Sequence, residues 1–169
     1  MLNVVAKINE RRKMEILVDS GELTDAKTVA RFFEAYTLLI WDYLLVGKIY
    51  DCYNDDVILN HAGGVTVQGI DTVIKNTLGI IASVAKDNQT VFIDIFAEGN
   101  EEEGYRFCQL TTAYSPLANK KMGDYVPPQN RVYLDEEVGG VGICECLVKK
   151  VDGRWKIVEE WLIRTPRKC

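Results

Sequence analysis

The sequence predicts an α+β domain in which a curved antiparallel sheet wraps over three N-terminal helices. Three observations carry this. Apolar residues recur at helical spacing through residues 24–46 and 70–86. The second half reads almost entirely as strand, with two hairpin signals. Helices first and long antiparallel strands after them favour a sheet packed over helices. The 169 residues fit one domain, and a chain of this size buries roughly 70% of the surface it exposes when unfolded.

Residues 1–23 form an arm or short helix, broken at Ser20-Gly21. The main helix spans 24–46. Thr24 is placed as its N-cap, with Asp25 in the first turn. Val29, Phe32, Phe33, Tyr36, Ile40, Tyr43 and Leu44 form its stripe. Leu38, Trp41 and Leu45 add a second apolar face, so more than one side is covered. Gly47 is placed at its C-terminal stop. A short helix over 48–53 ends at the turn signal Asn54-Asp55-Asp56. Residues 57–60 read as a strand, turned at Gly63-Gly64 toward a partner at 65–68. The next helix covers 70–86, with Asp71 as its N-cap. Strands at 90–97 and 105–115 flank an acidic turn over 98–104. An irregular segment at 117–130 carries Pro127-Pro128. The last two strands, 140–151 and 155–165, join through Asp152-Gly153, a strong hairpin signal.

Composition narrows the function. A net charge of −5 gives no basic surface for nucleic acid or anionic membrane. No apolar run reaches 18 residues, and the first residues lack a signal-peptide core. The five cysteines show no CxxC, which favours reduced thiols and a cytoplasmic setting. Cys144 and Cys146 share one strand face, but no second ligand pair is visible in the spacing, so no metal is expected. No Rossmann or P-loop motif is present, and no organic cofactor is expected.

Four segments, in order, resemble the SnoaL-like polyketide cyclase family of the nuclear transport factor 2-like (cystatin-like) superfamily. The first is Trp41 with the run from Val46 to Val57. The second is His61 and Gly64 followed by Gln68-Gly69-Ile70-Asp71. The third is the glycine- and proline-bearing stretch from Met122 to Val132, and the fourth the final hairpin from Asp152 to Thr165. The resemblance covers about 24–165, leaving 166–169 as a tail, and implies a cone-shaped barrel with a pocket at its open end. Thr165 stands where the family often has Asp, and Gln129-Asn130 replaces Thr-Gly. The fold therefore transfers better than the catalytic set.

The resemblance puts His61, the sole histidine, on a strand feeding the open end of the cone. A histidine titrates near neutrality and can move protons, or it can simply bond to backbone at a strand end. Asp94 alternates with Phe92 and Phe96; buried among them, its carboxyl would be pushed toward a general acid or base, and on the other face it would meet solvent or a partner. Glu145 alternates with Val141, Ile143 and Leu147, while Cys144, Cys146 and Val148 make an equally apolar opposite face. Tyr36 and Trp41 on the first helix, and Tyr114 and Trp161 on the sheet, are aromatics of the kind that line pockets in this fold. Tyr36 is also a candidate oxyanion donor. Asp42, Asp51, Asp55 and Asp56 read as surface or capping carboxylates, and Glu101-Glu102-Glu103 as a solvated turn.

Two functional expectations stand side by side. One is cofactor-free acid–base chemistry on a lipophilic carbonyl compound, in the manner of a polyketide cyclase or ketosteroid isomerase, with His61, Asp94 and Tyr36 as the catalytic set. The other is a non-catalytic ligand-binding or dimerisation module. Both are compatible with a homodimer formed through the curved sheet.

Overall fold

The computed structural model describes residues 2–61, 64–83, 89–114 and 142–164. The expected proline segment at 117–130 lies outside the described residues. Helix α1 spans Leu2–Ser20, α2 Ala26–Trp41, α3 Lys48–Cys52 and α4 Ile70–Ser83. The strands are β1 Tyr53–His61, β2 Val65–Gln68, β3 Gln89–Asn100, β4 Gly104–Tyr114, β5 Gly142–Val151 and β6 Arg154–Arg164. They form one six-stranded sheet in the order β2-β1-β6-β5-β4-β3. Every pair is antiparallel except β1 with β6, which run parallel. This is the expected mixed architecture of helices packed on a curved sheet.

The cap of α2 falls on Asp25 rather than Thr24. The Thr28 backbone N–H donates to the Asp25 carboxylate at 2.7 Å, and the Asp25 N–H donates to Thr28 Oγ1 at 3.0 Å. That reciprocal box satisfies two of the helix's orphan donors. The backbone bond from Thr28 also draws the Asp25 carboxyl below its ordinary range. The helix stops at Trp41, earlier than its apolar pattern suggests. Asp42 caps it, and the Asp42 carboxylate accepts the Thr90 N–H through both oxygens, at 2.9 and 3.0 Å. Asp42 thus ties the end of α2 to the start of β3. Leu44 then adopts φ 58°, which no helix interior permits. Gly47 caps the N-terminus of α3 instead of terminating the long helix. In α4, Asp71 sits inside the first turn rather than at the cap.

The buried face of α2 (Val29, Phe32, Phe33, Tyr36, Leu39, Ile40) packs on the concave side of the sheet. The sheet answers with Tyr105 and Phe107 from β4, Cys146 and Val148 from β5, and Ile157 from β6. Helix α1 is mostly exposed and contributes Val18 to the core, helped by an ion pair between Asp19 and Lys48. The two late hairpins turn tightly. Asp152 and Gly153 both have positive φ, 49° and 77°, as a two-residue turn matched to strand twist requires. Gly104, at φ 95°, lies so close to β5 that a Cβ there would come 2.5 Å from the Val148 carbonyl oxygen.

Candidate functional site

The inward parity of each strand decides what the cavity contains. On β1 it is Val57, Leu59 and His61; on β6, Ile157, Glu160 and Leu162; on β5, Cys144, Cys146 and Val148; on β4, Tyr105, Phe107 and Gln109. The ladders align these into rows. Leu59 lies beside Glu160 and Glu160 beside Cys146; His61 lies beside Leu162 and Leu162 beside Cys144. Helices α2 and α4 roof the rows, leaving a cavity of about 70 Å³. A single ordered water needs roughly 10–15 Å³ of such space, so the cavity admits a compact ligand.

Its polar groups form two sets. In the first, the Tyr53 hydroxyl donates to Glu160 Oε2, and the Tyr36 and Tyr53 rings meet at 6.0 Å. Burial pushes both phenols well above their ordinary range, with the Glu160 charge acting in the same direction. Both are therefore proton-bearing donors at neutral pH. Cys144 Sγ lies 3.5 Å from Glu160 Oε1 and 3.7 Å from Cys146 Sγ. The contact with Cys146, then burial, raises the Cys144 thiol well above its usual value. For Cys146 the hydrogen bond from Cys144 pulls down, but burial and the Glu160 charge pull up more strongly, and the thiol ends raised. In the second set, Thr37 donates to Gln109 Oε1 at 3.1 Å from helix to sheet. His61 Nε2 is buried and has no hydrogen-bond partner among the described residues.

The structure brings Tyr36, Trp41 and His61 together at this cavity. It separates them from the expected carboxylates. The register of β3 against β4 slips between Phe92 and Asp94, so Ile93 bulges and the alternation resets. Ile95 and Ala97 then pack on the core, while Asp94 and Phe96 face outward, with Asp94 accepting the Ile95 N–H at 2.8 Å. Asp94 is thus not a buried carboxylate between phenylalanines. Glu145 is corrected likewise. It shares the outer face with Arg106, to which it is bonded at 2.7 Å, because Cys144 and Cys146 take the inward parity. Trp161 lies on that outer face too, beneath the Arg106 guanidinium at 5.7 Å. The Tyr114 side chain lies outside the described residues.

Glu160 and Tyr53 are the site residues that sequence reasoning missed. The signal was faint. Trp161 and Ile163 are as apolar as Leu162, so alternation along β6 gives no parity. Only the pairing of Glu160 with Cys146 and Leu59 reveals that this carboxylate points inward.

No protein-family profile matches the sequence, and no curated protein matches it. Solved structures match its fold. A domain with a cystatin-like fold from Nostoc punctiforme superposes with a TM-score of 0.61 at 11% identity, over 83% of this chain and 78% of its own. A nuclear transport factor 2-like protein from Pseudomonas putida gives 0.56 at 10% identity, over 82% and 87%. A protein from Novosphingobium aromaticivorans, named as a candidate scytalone dehydratase, gives 0.54 at 15% identity over 98% and 89%. At these identities the likeness establishes the fold, cystatin-like and nuclear transport factor 2-like. No helix among the described residues is long and apolar enough to cross a membrane.

Proposed function

We propose that this nuclear transport factor 2-like domain is a SnoaL-like protein that binds a compact, lipophilic carbonyl compound beneath its sheet and moves a proton on it. The carrying observation is His61 Nε2, buried in the cavity wall and without a partner among the described residues. A buried nitrogen left unpaired is costly, and a bound ligand supplies the missing partner. Tyr36, held as a neutral phenol, offers a donor to an oxygen that gains charge as a neighbouring C–H bond breaks. Isomerisation, cyclisation and dehydration all begin with that step.

The test uses the single histidine. Single-ring and fused-ring enones are added to protein labelled at the imidazole, and the His61 ring signals are followed by NMR. The expected result is a saturable shift with at least one compound, accompanied by exchange of its α-proton for solvent deuterium. A saturable shift without exchange converts the reading to its non-catalytic alternative, a binding module. Ring signals indifferent to the whole panel would sink both.

For the expected homodimer, the opposite, outer face of the sheet offers the apolar surface that would support it. Phe96, Ile143 and Ile163 are 53%, 39% and 57% exposed there, beside the oppositely charged Arg106–Glu145 pair. A two-fold related copy would cover the apolar residues and set Arg106 of each chain near Glu145 of the other. Sedimentation should show a dimer that Phe96→Glu with Ile163→Glu converts to a folded monomer. A monomeric wild-type protein at tens of micromolar rules this arrangement out.

A further inference from the structure

We propose that Cys144, Cys146 and Glu160 form a three-ligand site for a thiophilic divalent cation, zinc by its ligand chemistry, in the wall of the cavity. The two donor–donor edges that meet at Cys144 match those of a tetrahedral site. Zinc holds sulfur at about 2.3 Å and carboxylate oxygen at about 2.0–2.2 Å, so a tetrahedral site has S···S edges near 3.8 Å and S···O edges near 3.5 Å. Cys144 Sγ lies 3.7 Å from Cys146 Sγ and 3.5 Å from Glu160 Oε1. All three donors fall within 4.8 Å of one another.

The backbone explains the arrangement. Two residues apart on β5, the cysteines share one face. Glu160 is the direct ladder partner of Cys146 on β6. The glutamate's oxygens are divided between two tasks: Oε2 accepts the Tyr53 hydroxyl, while Oε1 faces the sulfurs. Such a hydrogen bond behind a ligand fixes its orientation and tunes its affinity.

Charge points the same way. Once the thiols ionise, two thiolates and a carboxylate at this spacing repel one another, and a cation between them offsets that repulsion. Two thiolates and one carboxylate around a dication leave a net charge of −1, and the two thiol protons depart to solvent. Each thiol must lose its proton to bind the cation, so affinity should rise with pH. Three protein ligands leave the fourth corner open toward the cavity, for water or a ligand oxygen, the pattern of reactive rather than structural zinc sites. The site shares the cavity with the proton-transfer reading but does not depend on it. Metal uptake decides one and deuterium exchange the other.

The test titrates reduced, metal-free protein with Co²⁺. One equivalent should produce a thiolate-to-cobalt charge-transfer band and the visible bands of tetrahedral cobalt, and zinc should erase both. Cys144→Ser with Cys146→Ser should abolish the charge-transfer band. Glu160→Gln should weaken uptake at least about tenfold, and Cys108→Ser on the outer face should leave it intact. No charge-transfer band in the wild type, or a band that survives the double substitution, overturns the proposal. Should the double variant fail to fold, alkylation of the wild type in mild denaturant decides. Zinc must shield Cys144 and Cys146 while Cys108 still reacts; equal alkylation with and without zinc overturns it.

Discussion

Raising the pH of the metal-free protein from 8 to 11 is expected to unfold it. Burial, aided by neighbouring charge, holds the Tyr36 and Tyr53 phenols and the Cys52 thiol above their ordinary values. Cys144 is raised by its contact with Cys146 and by burial, whereas that contact lowers Cys146, which burial and the Glu160 charge together still leave raised. When such a group has a higher pKa folded than unfolded, the unfolded chain loses its proton first. Stability is then complete below the unfolded pKa and falls as pH rises toward the folded one. Each group contributes about 1.4 kcal/mol per pH unit inside that window. The three thiols begin near pH 9 and the two phenols near pH 10. The loss therefore steepens in two stages, first as the thiols and then as the phenols pass their unfolded values. Against a total stability of about 5–15 kcal/mol, several such groups acting together are a large share. Urea midpoints measured from pH 7.5 to 10.5 should fall steeply, and Tyr36→Phe should flatten the curve only above pH 10. A flat profile would mean that these groups are not buried as protonated species. Zinc should also blunt the fall between pH 9 and 10, because two of the three thiols would already be thiolates.

That five such groups converge in one core was only partly visible beforehand. The helical stripe of α2 as far as Ile40 and the Asp152-Gly153 turn are local signals, and each lies where its pattern places it. Strand parity is not local. In β3 a single bulge at Ile93 turns Asp94 away from the core, and no composition rule marks that bulge. In β5 and β6 both faces are apolar enough to be core, so Cys144 against Glu145, and Glu160 against Trp161, are decided by the partner strands. The parallel pairing of β1 with β6 brings Leu59 and His61 alongside Glu160 and Leu162, and it joins elements about a hundred residues apart. Hairpin reasoning joins neighbours and does not reach it. Tyr36 and Trp41 reach the cavity wall from a helix whose pattern was local, and the place of His61 was implied by the resemblance alone; Glu160 and Tyr53 required the register.

Phe107→Ala should cost about 3–5 kcal/mol in urea unfolding, the range for removing a fully buried phenylalanine. Phe107 is 1% exposed and Phe33 2%, and their rings meet at 4.8 Å with a 31° tilt. This stack joins α2 to β4 one helical turn from the Thr37–Gln109 hydrogen bond, so it fixes the height of the roof over Cys146. Ring pairs of this kind add about 0.5–1.5 kcal/mol beyond their buried area, which favours the upper part of the range. The substitution also enlarges the cavity, since Phe107 forms part of its wall. A small apolar aromatic should then bind in the new space and restore stability with the logarithm of its concentration once that exceeds its dissociation constant. Two outcomes separate the roles of this residue. A loss of the expected size that benzene-like compounds partly reverse means that Phe107 is a rigid wall of the ligand cavity. A loss below about 1 kcal/mol means that α2 settles onto the sheet when the ring is removed. The roof would then be deformable, and the shape of the cavity would be set by its ligand more than by its packing.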